Sequence, residues 1–120
     1  MNIAAHLICA AALLSASSAL SETVPRSGSL DNRVRTATYV ENQVFVIETD
    51  LRHSTTIHFG QGERFDAVIV GDTESFQVDP IPELGNVLTI KPHVQSASTN
   101  MTVITNRRTY SFHLREGAIP

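Results

Sequence analysis

His58 and His113 come nearest to a chemical site in this sequence, because each stands in a run of β-branched and aromatic residues that would hold it rigidly. Each alternates with apolar neighbours, Ile57 and Phe59 for one, Phe112 and Leu114 for the other. On a strand that alternation points both imidazoles away from the core. Were the two strands neighbours they would form a metal pair, but no third ligand at metal spacing accompanies them. His53 and His93 fall among turn residues and read as polar surface. The carboxylates Asp66, Asp72, Asp79 and Glu83 are those from which a glycosidase acid and base would be drawn. Each falls at a strand edge or turn, where a solvated role outweighs catalysis, and Asp72 after Gly71 is turn chemistry. The serines have no His-and-acid context, and none occupies a strand-to-helix elbow. Arg107-Arg108 reads as a basic hairpin tip, and no glycine loop of the phosphate-binding kind occurs. Asn100-Met101-Thr102 matches a glycosylation sequon, but it opens a strand in a chain with a bacterial look and is discounted. The sequence thus nominates no catalytic, cofactor-binding or metal-ligating residue.

The elements that would position any site are short strands, and Asn100 to Leu114 fixes their style. With Asn106-Arg107 as a two-residue turn, Thr105 faces Arg108, Val103 faces Tyr110 and Met101 faces Phe112. Those last two pairs share one side of the ribbon, and Leu114 extends the stripe. Thr102 opposite Ser111 and Asn100 opposite His113 form the polar side. A slip of one residue would turn every apolar side chain outward, so the register is strongly specified. A ribbon with one apolar face requires a second layer to cover it. Asn tolerates φ > 0 at the first turn position better than Arg does at the second, which leaves a longer loop open.

The same texture runs back to residue 33. Strands are expected at Arg33–Tyr39, Val44–Thr49, Thr55–Phe59, Phe65–Val70, Ser75–Val78, Val87–Lys91, Met101–Thr105 and Thr109–Leu114. No stretch after residue 30 keeps a helical period with caps for three turns. The fold class expected is therefore all-β, a sandwich of about eight short, mostly antiparallel strands. Glu41-Asn42 would turn the first pair, setting Tyr39 opposite Val44 and Arg35 opposite Glu48. Gly60-Gln61-Gly62 and Gly71-Asp72 read as tight turns in which glycine supplies φ > 0. The inward set is Val46, Ile57, Phe59, Val68, Val70, Phe76, Val78, Leu88, Ile90, Met101, Val103, Tyr110, Phe112 and Leu114.

The first residues have another character. Leu7 to Leu14 is apolar and Ser15 to Ser21 small and mildly polar, so residues 1–21 read as an export signal with its cleavage region at Ser17, Ser18 and Ala19. The apolar run falls well short of the roughly 20 residues that span a bilayer. A signal of this kind places the mature chain in the periplasm. Cys9, the single cysteine, lies inside the apolar run and lacks the small preceding residue of a lipidated one. Cleavage would leave no thiol and no disulfide, so stability must come from the core. Residues 22–32 read as a flexible lead-in, and 33–115 as the folded domain. A net charge of −3 with 42% hydrophobic and 18% charged residues describes an ordinary globular chain. It lacks the basic face of a nucleic-acid binder, so direct nucleic-acid binding is not expected.

Read in order, RVRTATY, TTIHFGQGERFDAVIVGD, LTIKP and TNMTVITNRRTYSFHL resemble the N-terminal domain of the TrbG/CagX family, subunits of the type IV secretion and conjugation core complex. Gly71-Asp72 after an Ile/Val strand, followed by Phe76 and Val78, fits the same pattern. The resemblance implies a β-sandwich without an active site or cofactor, exported by a signal peptide. It also implies assembly as a ring with other copies and with an inner-membrane-anchored core protein that crosses the periplasm. Family members continue through a linker into a second β-domain that contacts a small outer-membrane lipoprotein. Here residues 116–120 read as the start of that linker, and the sequence is expected to be a fragment or a truncated product without the second domain, for which the lipoprotein contact is doubtful.

A structural subunit is therefore the leading expectation. Its rival is a free-standing periplasmic module for a sugar or peptide, which would need aromatic rings on an exposed face, whereas aromatics make up only 6% of the chain and fall mostly at inward positions. A hydrolase is the third, and it lacks a convergent polar site.

Overall fold

The computed structural model describes residues 22–27 and 35–117. The export signal, including Ser17, Ser18 and Ala19, lies outside the described residues, as do 28–34 and 118–120. The described residues contain no helix. The strands are β1 (Arg26–Ser27), β2 (Arg35–Thr36), β3 (Val44–Thr49), β4 (Thr55–His58), β5 (Phe65–Val70), β6 (Phe76–Pro80), β7 (Val87–Pro92), β8 (Ser98–Thr105) and β9 (Thr109–Glu116). A four-stranded sheet has the order β3-β9-β8-β5, a three-stranded sheet the order β4-β7-β6, and β1-β2 form a separate ribbon. The two larger sheets enclose Phe45, Phe76, Leu88, Ile90, Met101, Val103, Phe112 and Leu114. The fold is all-β, and every strand pair except β3–β9 is antiparallel.

The β8–β9 hairpin pairs Met101 with Phe112, Val103 with Tyr110, Thr102 with Ser111 and Asn100 with His113. Its connection is the short one: the Thr105 N–H donates to the Arg108 carbonyl at 2.9 Å. Neither Asn106 nor Arg107 has a positive φ. The turn is held instead by Thr105 Oγ1, which accepts the N–H groups of Arg107 and Arg108. Asn106 then ties the tip to the start of β5. Its N–H donates to the Arg64 carbonyl at 3.0 Å, and its Oδ1 accepts the Arg64 N–H at 2.8 Å. Side-chain bonds of this kind do the work that a left-handed backbone does in the commoner two-residue turns.

The N-terminal part of the domain differs from the sequence-based expectation. Of the described part of Arg33–Tyr39, which begins at Arg35, Arg35–Thr36 is in a strand, and it pairs with β1 rather than with β3. The turn at Glu41-Asn42 does form, with Asn42 at φ 63°. It does not bring Tyr39 opposite Val44, because β3 lies parallel to β9, pairing Phe45 with Phe112 and Ile47 with Leu114. Arg115, not Arg35, is the cross-strand partner of Glu48, at 3.2 Å. This arrangement turns Phe45 and Ile47 toward the core, the same side as Phe112 and Leu114. Val46 is buried, but on the opposite side, beside His113. The driving force is area: Phe45 and Ile47 offer more apolar surface than Val44 and Val46, and β9 presents a long stripe to receive it. The stretch read as a flexible lead-in is paired at two places, at β1 and at Thr23, which exchanges hydrogen bonds with Val44 and Val46 of β3.

Glycine serves two purposes in the turns. Gly62 has φ +82°, as a tight turn requires. Gly71 has no positive φ, and its constraint is space: a Cβ there would run into the side chains of Asn100 and Thr99. Gly71→Ala is accordingly expected to cost about 1–3 kcal/mol by overpacking. Chemical denaturation would check it, and an unchanged midpoint would mean that the β5–β6 turn yields freely.

Candidate functional site

His58 lies on β4 of the three-stranded sheet and His113 on β9 of the four-stranded sheet, so the two imidazoles are not neighbours. Asp66 and Asp79 are exposed on β5 and β6, and Glu83 is exposed in the following loop. Asp72 caps its own turn, its Oδ1 accepting the N–H groups of Glu74 and Ser75 at 3.1 and 3.0 Å. A bond from the Ser75 side chain, together with the backbone N–H groups of Ser75 and Glu74, holds its carboxyl below the ordinary range.

One serine does acquire a His-and-acid context. Ser98 Oγ lies 2.6 Å from His113 Nε2, and His113 Nδ1 lies 2.9 Å from Glu22 Oε1. With the proton on Nδ1 facing Glu22, Nε2 accepts from Ser98, the order of bonds found in serine hydrolases. Chain distance hid it, since Glu22 and His113 are 91 residues apart. The surroundings set its role. The residues line a depression of about 440 Å³ on the outer face of the four-stranded sheet, and Glu22 and Ser98 are exposed. Acyl transfer draws most of its acceleration from donors preorganised in a site that excludes water, which an exposed sheet face does not provide. What the bonds accomplish is to clasp the segment at Glu22 and Thr23 against β9 and β3. His113→Ala should therefore change global stability by less than about 1 kcal/mol, as expected for side-chain hydrogen bonds between partly exposed groups. It should also speed proteolytic trimming before β3, and equal trimming in the two proteins would remove the clasp from the account.

A second polar cluster sits inside the fold, beneath the hairpin tip. The Glu63 carboxylate is 4% exposed. Tyr110 donates its hydroxyl to Glu63 at 2.7 Å, Thr105 Oγ1 donates at 2.8 Å and the Gly60 N–H at 3.1 Å. Burial alone would raise the Glu63 pKa; the hydrogen bonds from Tyr110, Thr105 and Gly60 outweigh it and hold the carboxyl below its ordinary value. Burial, reinforced by the bond to Glu63 and its charge, pushes the Tyr110 hydroxyl up to about 12. Arg108 lies over the Tyr39 ring at 4.5 Å, and Tyr39 packs edge-on against Tyr110. The signal for this cluster was present but indirect: Tyr110 and Thr105 fall on the inward side of the hairpin, and buried hydroxyls need an acceptor. A carboxylate in the Gly60–Gly62 turn region was not an obvious one.

A concavity of about 940 Å³ is a groove between β5 and β6. Each is the outermost strand of its sheet on that side, so the sandwich is open along this seam. Phe65, Val68, Val70, Phe76, Val78 and Ile81 line it. Four of the predicted inward residues thus show along the groove as well as in the core. Elsewhere the rings are occupied with one another: Phe59 packs edge-on against Phe65, Tyr110 and Phe112, with centroids 4.8–6.0 Å apart.

The family described as CagX, conjugal transfer protein, matches residues 32–118. A type IV secretion system protein virB9 of Bartonella henselae is 32% identical over 105 residues, covering 82% of this chain and 35% of the relative. The type IV secretion system protein PtlF of Bordetella pertussis is 30% identical over 125 residues, covering 93% of this chain and 45% of the relative. The chain spans less than half the length of these curated relatives. Among solved structures, domains 4 and 5 of the S-layer protein SbsC superpose with a TM-score of 0.45 at 14% identity, covering 60% of this chain and 47% of that one.

Proposed function

The chain belongs to the CagX family of conjugal transfer proteins, and from that premise we propose that it is a periplasmic structural subunit of a type IV secretion or conjugation core complex. It acts by packing against other copies of itself in a ring and against an inner-membrane-anchored core protein. The observation that carries this reading is the extent of the family match, 32–118, which takes in both layers of the sandwich. Residues 1–21 direct export, with processing at Ser17, Ser18 or Ala19, and residues 33–115 form the unit that assembles. The polar groups support a scaffold rather than a catalyst. Glu63 is engaged in holding the hairpin, Asp72 in capping a turn and His113 in clasping the lead-in. The sugar- or peptide-binding alternative needs an exposed aromatic platform, and the phenylalanines here pack on one another instead.

The test is co-purification of the exported chain with the inner-membrane-anchored partner encoded beside it. Retention on that partner, without measurable binding to a panel of oligosaccharides and peptides, is the expected result. Tight binding of a sugar or peptide by the isolated chain, with no retention, would replace the scaffold with the binding module.

A further inference from the structure

Two features of the domain are incomplete in a complementary way. The first is the seam between β5 and β6. Each strand has one side with no strand beside it, and both face the same apolar groove. Val68, Val70 and Val78 pack on the core yet are only half-buried, because no further strand covers them there. Asp66 lines the groove, and Glu74, Asp79 and Glu83 each stand next in sequence to a lining residue; all four are exposed. Arg64 lines it as the opposing charge, and His93 lines it too.

The second feature is the ribbon β1–β2, whose strands pair with each other and join neither layer. Two short strands on their own are marginal in water and need a surface to rest on. The ribbon is basic, with Arg26 and Arg35 exposed. Just outside the paired residues stand Val24 and Val40, 41% and 52% exposed.

We propose that the β1–β2 ribbon of one copy docks in the β5/β6 groove of a second copy. Val24 and Val40 beside the ribbon meet Val68, Val70 and Val78, while Arg26 faces the carboxylates along the rim. Edge strands accept such additions because their outward N–H and C=O groups have no partner within the sheet. Ribbon and groove are different surfaces, so each copy presents both, and the contact is head-to-tail. Repeated contacts of that kind close into a ring or run on as a filament, depending on the rotation between neighbours. The inference rests on the scaffold reading above and names the surface by which copies meet.

Disulfide trapping tests it on the full chain in a Cys9→Ser background, where engineered thiols are the only ones. A population carrying Thr36→Cys on β2 is mixed with one carrying Gln77→Cys on β6. The control mixture pairs Thr36→Cys with Thr56→Cys on β4; all three positions are exposed. Cross-linked dimers should accumulate several-fold faster in the first mixture. Adding Asp79→Lys to the groove population should slow trapping, and Arg26→Glu in the ribbon population should restore part of it. Equal rates in the two mixtures would overturn the docking. If rates are equal while the chain still co-purifies with the inner-membrane-anchored partner, the docking fails and the scaffold reading stands. If co-purification is lost as well, both fall.

Discussion

Phe112→Ala should lower the stability of the domain by about 3–5 kcal/mol, the range for emptying a buried phenylalanine site. Phe112 is 6% exposed and joins three neighbouring rings, with centroids 6.0 Å from Phe45, 6.0 Å from Phe59 and 6.1 Å from Tyr110. It also occupies the middle of β9, which carries β8 on one side and β3 on the other. The cavity would therefore open where two strand pairings depend on the same side chain. Domains of this size have about 5–15 kcal/mol to lose, so the variant would retain a small margin or none. A midpoint lower by roughly 15–30 °C in thermal unfolding is the corresponding readout. A shift of only a few degrees would mean that Phe45 and Phe59 collapse into the space, and that the hairpin stripe is not the centre of the core.

Glu63→Ala is expected to cost about 3 kcal/mol, through hydrogen bonding rather than volume. Three donors converge on the carboxylate, and each orphaned buried donor costs roughly 1–3 kcal/mol. Thr105 is buried but keeps the Arg108 carbonyl, 3.2 Å from its Oγ1, as a second acceptor, and the half-buried Tyr110 recovers part of the cost from water. Glu63→Gln keeps the shape but turns an amide NH₂ toward hydroxyl donors, so a smaller loss of about 1–2 kcal/mol follows. The pH dependence separates this account from simple packing. The folded pKa of Glu63 lies below its ordinary 4.5, so its contribution is present above that value and is lost as pH falls through the lower folded one. Tyr110 behaves oppositely. Its pKa is raised from 10.0 to about 12, so its contribution is complete below pH 10 and disappears as pH rises through about 12. Unfolding measured across pH should show an acid limb that Glu63→Gln reduces, Asp72 supplying the rest, and an alkaline limb that Tyr110→Phe reduces. Wild-type and variant curves that run parallel would show that the cluster does not hold the hairpin to the Gly60–Gly62 turn.

Much of the fold was legible because alternation is a local signal. From Phe65 to Leu114 the period-2 pattern marked the strands, and in β8–β9 it marked the partner of each residue. Legibility failed where a strand has apolar residues on both sides. Val44–Ile47 contains no polar residue to mark its outer face, so Val46 was read as inward where Phe45 and Ile47 hold that place. The partner of β3 was equally hidden. A neighbouring strand in sequence is the cheaper choice in loop entropy, yet β3 pairs in parallel with β9, far along the chain, because that pairing buries more apolar surface.

The same division runs through the candidate sites. The amino-acid sequence by itself determined the strand texture, the hairpin register and the family, because each depends on residues near one another in the chain or on ordered motifs. Tertiary structure alone decided that Glu63 would be the acceptor for Tyr110 and Thr105, that Glu22 would meet His113, and that β5 and β6 would leave a seam between them. Those outcomes depend on how two sheets are laid across each other. Alternation specifies which side of a strand is apolar, but it carries no information about which distant strand will cover that side.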